Sequence, residues 1–258
     1  MVDDALTAHR AGASPAGRTL TWIGFALAIA GAVMVLVAGP GYRGEFWGLL
    51  TAFTMIRWGA YCGGAGAILS LFGTILLFTG HARRWRTMAI LGMIFGAIAI
   101  GVPWAWNIQA QNVPRIHDIT TDTANPPTFD AVLAKRQDAR NSATYGGPDV
   151  AAQQREAYPD IQPLHLNAPP AAVFKAAVGL IKQNGWTLQA ASPATHKIEA
   201  TATTFWFGFK DDVVIRIQPQ GGGSRVDIRS ASRIGKSDVG TNAKRVRHFI
   251  AQLKNEFG

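Results

Sequence analysis

Apolar positions gather in three windows that contain no Asp, Glu, Lys or Arg: Thr19–Tyr42, Trp58–Gly80 and Thr87–Pro114. Their cores read WIGFALAIAGAVMVLVAG, WGAYCGGAGAILSLFGTILLF and MAILGMIFGAIAIGVPWAW. A helix rises about 1.5 Å per residue, so about 20 such residues cross a hydrocarbon layer. The pattern predicts three transmembrane helices within residues 20–113, after a tail of residues 1–19. The first run exceeds the roughly 7–15 apolar residues of a signal peptide and no small-x-small site follows it, so an uncleaved anchor is expected. Trp22, Trp58, Trp85, Trp104 and Trp106 fall at the span ends, where an indole ring prefers the headgroup layer. Gly59-x-x-x-Gly63 and Gly92-x-x-x-Gly96 allow close helix approach. The connection 43–57 reads either as an interfacial helix or as an extension of the second span beyond Arg57.

Beyond residue 113 the period changes. Residues 109–160 hold Pro114, Pro126, Pro127, Pro148 and Pro159 and read as an extended Pro-rich segment, with a short helix at Phe129–Arg140. A helix follows Pro169-Pro170 and ends at Asn184-Gly185. Strands are expected near Ile161 and at Trp186–Ala191, Lys197–Thr203, Asp212–Gln218 and Arg225–Ala231, with Gly221–Gly223 as a hairpin loop. A closing helix at Thr241–Phe257 places Val246, Phe249, Ile250 and Leu253 on one side. The fold class is therefore α+β: three membrane helices, then residues 114–258 as a domain with an antiparallel sheet of four to five strands and two main helices.

Composition sharpens this division. Only 16% of the 258 residues are charged, against about 25% in ordinary soluble domains. Arg10, Arg18, Arg83, Arg84 and Arg86 flank one side of the spans, and Arg43, Arg57 and Arg115 the other. Five against three places the N-terminus in the cytoplasm and the 114–258 domain outside, in the periplasm of a bacterial inner membrane. The single Cys62 excludes an internal disulfide, and no Cys/His spacing suits zinc.

Two stretches, PRIHDITTDTANPPTF at 114–129 and SRIGKSDVGTNAKRV at 232–246, with YPDIQPL between them, resemble the bacterial domain-of-unknown-function family 1499. The resemblance implies that residues 114–160 belong to the domain. It carries over no activity, cofactor or catalytic residue.

Seven Lys and Arg lie between Arg225 and Arg247, against Asp227 and Asp238. Clustered guanidinium groups can clamp a carboxylate or phosphate, so Arg229, Arg233, Lys236, Asp238 and Arg245 are candidate anion- or partner-binding residues; the plainer reading is a solvated face of alternating charge. Asp118 and Asp122 invite an acid–base reading, although turn formation is the commoner use of Asp in such a segment. Adjacent Asp211 and Asp212 suit a hairpin turn better than a dyad. In TTFWFGF at 203–209, Trp206 and its aromatic neighbours form either a strand buried on both faces or a partner surface. No catalytic constellation, metal site or cofactor motif stands out. The expectation is a non-catalytic membrane protein whose outer domain binds an envelope lipid or a protein partner, with nucleic acid not expected; the alternative is an envelope enzyme acting on a small anionic substrate.

Overall fold

The computed structural model describes residues 14–77 and 83–258. The tail bearing Arg10 and the His81 end of the second connection lie outside the described residues. The chain divides into two units, one ending at Ile108 and one spanning Gln109–Gly258.

The first unit consists of three helices, α1 (Pro15–Arg43), α2 (Leu49–Leu76) and α3 (Arg83–Gln111), each long and apolar enough to cross a membrane. Pro15 opens α1, and the Ser14 hydroxyl accepts the Gly17 N–H, so an otherwise orphaned donor is capped. Up to Ala38 the buried positions of α1 are Gly17, Thr21, Gly24, Ala28, Gly31, Val35 and Ala38. They step alternately by four and three residues, the 3.5-residue period of a left-handed helix pair. Gly59, Gly63, Gly66, Ser70 and Gly73 repeat the pattern on α2. These seams touch through backbone: a Cβ added at Gly66 would stand 2.5 Å from the Ala28 nitrogen, and one at Gly24 would stand 2.6 Å from the Ser70 nitrogen. On α3 the buried positions are Ala89, Gly92, Gly96 and Ala99, again at heptad spacing. Because α2 starts at Leu49 and runs unbroken past Arg57, residues 49–57 of the connection extend the second helix and only 44–48 remain between it and α1.

The second unit is built on an antiparallel sheet whose long strands are β3 (Thr187–Ser192), β4 (Lys197–Thr203), β5 (Lys210–Gln220) and β6 (Gly223–Ser232). Two three-residue strands, β1 (Asp118–Thr120) and β2 (Leu164–Leu166), pair in tandem with β6. Val213, Ile215 and Ile217 of β5 and Val226 and Ile228 of β6 take every second position and so share one face. They meet helices α5 (Pro170–Gln183) and α6 (Thr241–Phe257) through Val173, Ala177, Ile181, Val246, Phe249 and Leu253, which form one continuous core. The ring of Trp186 stacks on Phe249 at 5.5 Å. Gly221 and Gly222 turn β5 into β6 with φ of 57° and 82°, a backbone region that favours glycine.

Several local expectations are corrected. The expected helix at Phe129–Arg140 is only a 3-10 turn at Leu133–Lys135. A third helix of this unit, α4 (Gly147–Ala157), stands in the supposedly extended segment; it buries only Ala151 and Gln154, too short an apolar face to read from sequence. Asp211 and Asp212 lie within β5, not in a turn. The aromatic run 203–209 is not a two-faced strand: β4 ends at Thr203, Thr203 pairs with Lys210, and residues 204–209 form the connection.

Candidate functional site

Opposite α5 and α6, the sheet presents a charged face. Register places Glu199 and Thr201 of β4, Asp212 and Arg216 of β5, and Asp227 and Arg229 of β6 on that side. The segment 121–146 lies across it, fastened by Phe129 and Val132 packing on Val214 and Ala231. Glu199 accepts the backbone N–H groups of Asp130 at 2.8 Å and Val132 at 3.0 Å. Asp212 accepts from Arg136 at 2.5 Å, Arg233 at 2.8 and 2.9 Å, and the Thr201 hydroxyl at 2.8 Å. Asp227 accepts from Arg216 and Arg225, both of which also reach Asp122. Asp122 uses its other oxygen to accept the N–H groups of Ala124 and Asn125, the turn role expected of it.

Arg229 is the centre of this face and is 2% exposed. Its guanidinium donates twice to Asp118, at 2.9 and 2.7 Å, and to the carbonyls of Pro127 and Ala143 at 3.0 and 2.8 Å. Four of its five N–H donors are thereby used, and the cation lies 4.8 Å from the Phe129 ring and 5.5 Å from the Tyr145 ring. Asp118 is thus a strand residue in a bidentate ion pair, not a turn former. Burial, aided by Asp118, pushes the Tyr145 hydroxyl up to about 12, while Arg229 and Arg155 pull it back. Arg233 likewise spends its donors on Asp212 and the Lys135 carbonyl.

Arg245, on α6, donates to Asp211 at 2.7 Å and to the Ser230 hydroxyl at 2.9 Å. Asn242 beside it bonds the His117 carbonyl and Ser232. The Asp238 carboxylate accepts the N–H groups of Gly240 at 2.9 Å and Asn242 at 2.6 Å, so the anion position at the start of α6 is filled by the chain's own side chain. Burial raises the Asp238 pKa above the usual carboxylate value, opposed by those two N–H groups; Asp211 adds to the rise and Arg245 opposes it. Trp206 lies in the 204–209 connection, its ring 5.2 Å from that of buried Phe207.

Of the candidate anion- or partner-binding residues, only Lys236 lines the cleft beside Arg115, and Asp118, the candidate acid, lines it too. The cleft has a volume of about 390 Å³, and Arg115, His117 and Lys236 supply its cationic and titratable groups. Asn141, Ser142, Thr144 and Gln153 add amides and hydroxyls, and Asp118 contributes its Arg229-bound side chain. Arg115 and Lys236 are exposed and have no ion-pair partner among the described residues. The His117 Nδ1 atom is buried without a hydrogen-bond partner among them. Asn141 holds the cleft wall in place by bonding the carbonyls of Ser232 and Gly235 at 3.0 and 2.8 Å.

Residues 118–253, more than half of the chain, match the family described as "Protein of unknown function (DUF1499)". The chain belongs to that family. No curated protein matches it.

The matched stretch contains the whole charged face, from Asp118 through Arg229 to Arg245, but the cleft also draws on Arg115 and His117 immediately before it. Sequence reasoning counted Arg115 only for topology and passed over Asn141, Ser142 and Thr144. Local spacing does not mark the cleft cations, because Lys236 stands two residues before Asp238 just as Arg225 stands two before Asp227. Chemically the cleft can accept a negatively charged group by two cations and several neutral donors. Among the described residues no three His, Cys, Asp or Glu side chains cluster to hold a metal ion.

Proposed function

We propose that this protein is a membrane-anchored binding module whose second unit takes an anionic group, the phosphate or carboxylate of an envelope lipid, in the cleft formed by Arg115, His117 and Lys236. The observation that carries this reading is the contrast in cation partnering. Arg229, Arg233 and Arg245 are all engaged by carboxylates inside the domain, while Arg115 and Lys236 line an open cleft and pair with no carboxylate among the described residues. Non-catalytic binding is the reading we favour over the envelope enzyme, because the acids nearest the cleft already have tasks: Asp118 holds Arg229 and Asp238 caps α6. Only residues 112–114 separate α3 from Arg115, so covalent connection keeps this cation close to the headgroup layer. The arginine bias of the span flanks supports an N-terminus in the cytoplasm and a periplasmic second unit in a bacterial inner membrane.

The experiment is mass spectrometry of the full-length protein purified from native membranes, beside an Arg115→Glu/Lys236→Glu variant. Loss of co-purifying anionic lipid in the variant, at unchanged thermal stability, is expected. Retention of the same molecules in the same amount would refute the cleft. An alkaline phosphatase fusion at Gly258 should be active; an inactive fusion beside a fluorescent cytoplasmic reporter would reverse the orientation.

A further inference from the structure

The 204–209 connection joins β4 to β5 at one end of the sheet. Thr203 pairs with Lys210 there, β6 leaves the sheet at Ser232, and the chain arriving from residue 112 enters β1 opposite Ala231. The aromatic connection, the arriving chain and the 233–240 loop therefore share one end of the domain, and the 193–196 and 221–222 turns share the other. The arriving end differs in surface chemistry. Phe205 is 93% exposed, whereas the other exposed large apolar residues of this unit, Leu133 and Leu188, are 47% and 37% exposed. Trp206 is half-buried beside it, and the base of the connection is fixed: Phe207 is buried and stacks on Phe209 at 4.9 Å, and the Thr204 hydroxyl accepts the Phe209 N–H at 2.9 Å. The tip is thus presented on a rigid base. Around it at the same end stand Arg115, Lys210 and Lys236, all exposed and without ion-pair partners among the described residues.

We infer that this end is a membrane-docking surface, in which the Phe205–Trp206 tip enters the headgroup layer of an anionic bilayer and the surrounding cations meet lipid phosphates. A ring with an apolar body gains by leaving water at the interface, and basic residues beside it are attracted to anionic lipid. The bilayer is the occupant because the chain enters the domain at this end from a membrane-spanning helix, and because the three exposed cations at this end complement anionic headgroups. Arg115 and Lys236 are shared with the cleft, whereas Phe205, Trp206 and Lys210 lie outside it, so a probe at 205 reads the docking separately from cleft binding.

The test uses the full chain, one copy per lipid nanodisc, with Cys62→Ala as background. An environment-sensitive fluorophore is attached at Phe205→Cys or, at the opposite end, at exposed Thr195→Cys. With phosphatidylglycerol present, the probe at 205 should be quenched by headgroup-labelled nitroxide lipid and lose its quenching by aqueous iodide; the probe at 195 should show the reverse. Zwitterionic discs should weaken the nitroxide quenching at 205. Equal iodide access at both positions, or lipid quenching greater at 195, would overturn the inference.

Discussion

The two units are built inside out relative to one another. In the helical unit the buried seam is Gly, Ala, Ser and Thr with the single larger residue Val35, and the large side chains Leu50, Ile68 and Ile75 point outward. In the sheet unit the large side chains Ile181, Ile215 and Phe249 are the interior, along with whole ion pairs such as Arg229–Asp118. Solvent accounts for the difference. Lipid offers no hydrophobic incentive to hide a leucine, so membrane helices gain by close backbone approach. Water does offer it, so the sheet unit buries its apolar bulk and must then satisfy every charge it encloses. A buried polar group carries different meanings in the two settings: a seam filler among helices, a structural rivet under the 121–146 segment.

The comparison can be broken most severely at Gly66. Gly66→Val places side-chain atoms against the Ala28 backbone, and the α1–α2 pair should separate, read as loss of cooperative unfolding or of a disulfide crosslink engineered between the two helices. Ile68→Ala, on the outer face of the same helix, should be mild by the same readout. In the sheet unit the rule reverses. Arg229→Ala leaves Asp118 buried and unpaired and should cost about 3–5 kcal/mol in denaturant unfolding, whereas the paired replacement Arg229→Leu/Asp118→Leu should recover much of that loss. A recovery of nothing would mean that Arg229 acts through the Pro127 and Ala143 carbonyls rather than through its acid.

Asp238 gives a smaller, pH-dependent effect. Its folded pKa is raised, so between the unfolded value of 3.8 and that raised value the folded state holds the extra proton. Stability from this group is present at low pH and falls as pH rises through the window. Asp238→Asn should flatten that fall in a pH series of unfolding midpoints. The smallest effect is expected at Arg247, whose pair with Asp160 is exposed on both sides. There Arg247→Ala should cost about 0–1 kcal/mol, diminishing with salt.

Legibility followed periodicity. The three spans, β4, α5 and α6 were readable because each carries enough residues for a period to show, and β4 and α6 match their expected limits. Strand β1 has three residues and no period to read, whereas β2 answers to the strand expected near Ile161 but holds only three residues. The heptad of small residues on α1 was present in the sequence, but it is visible only when Gly and Ala are treated as the interior. The charged face was misleading for a physical reason. Alternating Arg and Asp on β6 looks like a solvated strand, and only a covering segment, whose contacts with Arg229 come from 86 and 102 residues earlier in the chain, makes it an interior. For the same reason Arg229, Arg233 and Arg245 attracted attention, while Arg115 and Asn141, which shape the cleft, did not.

The division between enclosed cations and cleft cations is tested most directly by thermal unfolding of the sheet unit within the full-length protein, in nanodiscs with and without phosphatidylglycerol. Wild type should unfold at a higher temperature when the anionic lipid is present. Arg115→Glu/Lys236→Glu should abolish that difference while leaving the midpoint in zwitterionic discs unchanged, and Arg245→Leu/Asp211→Leu, an enclosed pair that does not line the cleft, should shift the midpoint but keep the difference. A lipid-dependent shift that survives in the cleft variant, or vanishes in the enclosed-pair variant, would contradict the assignment of roles.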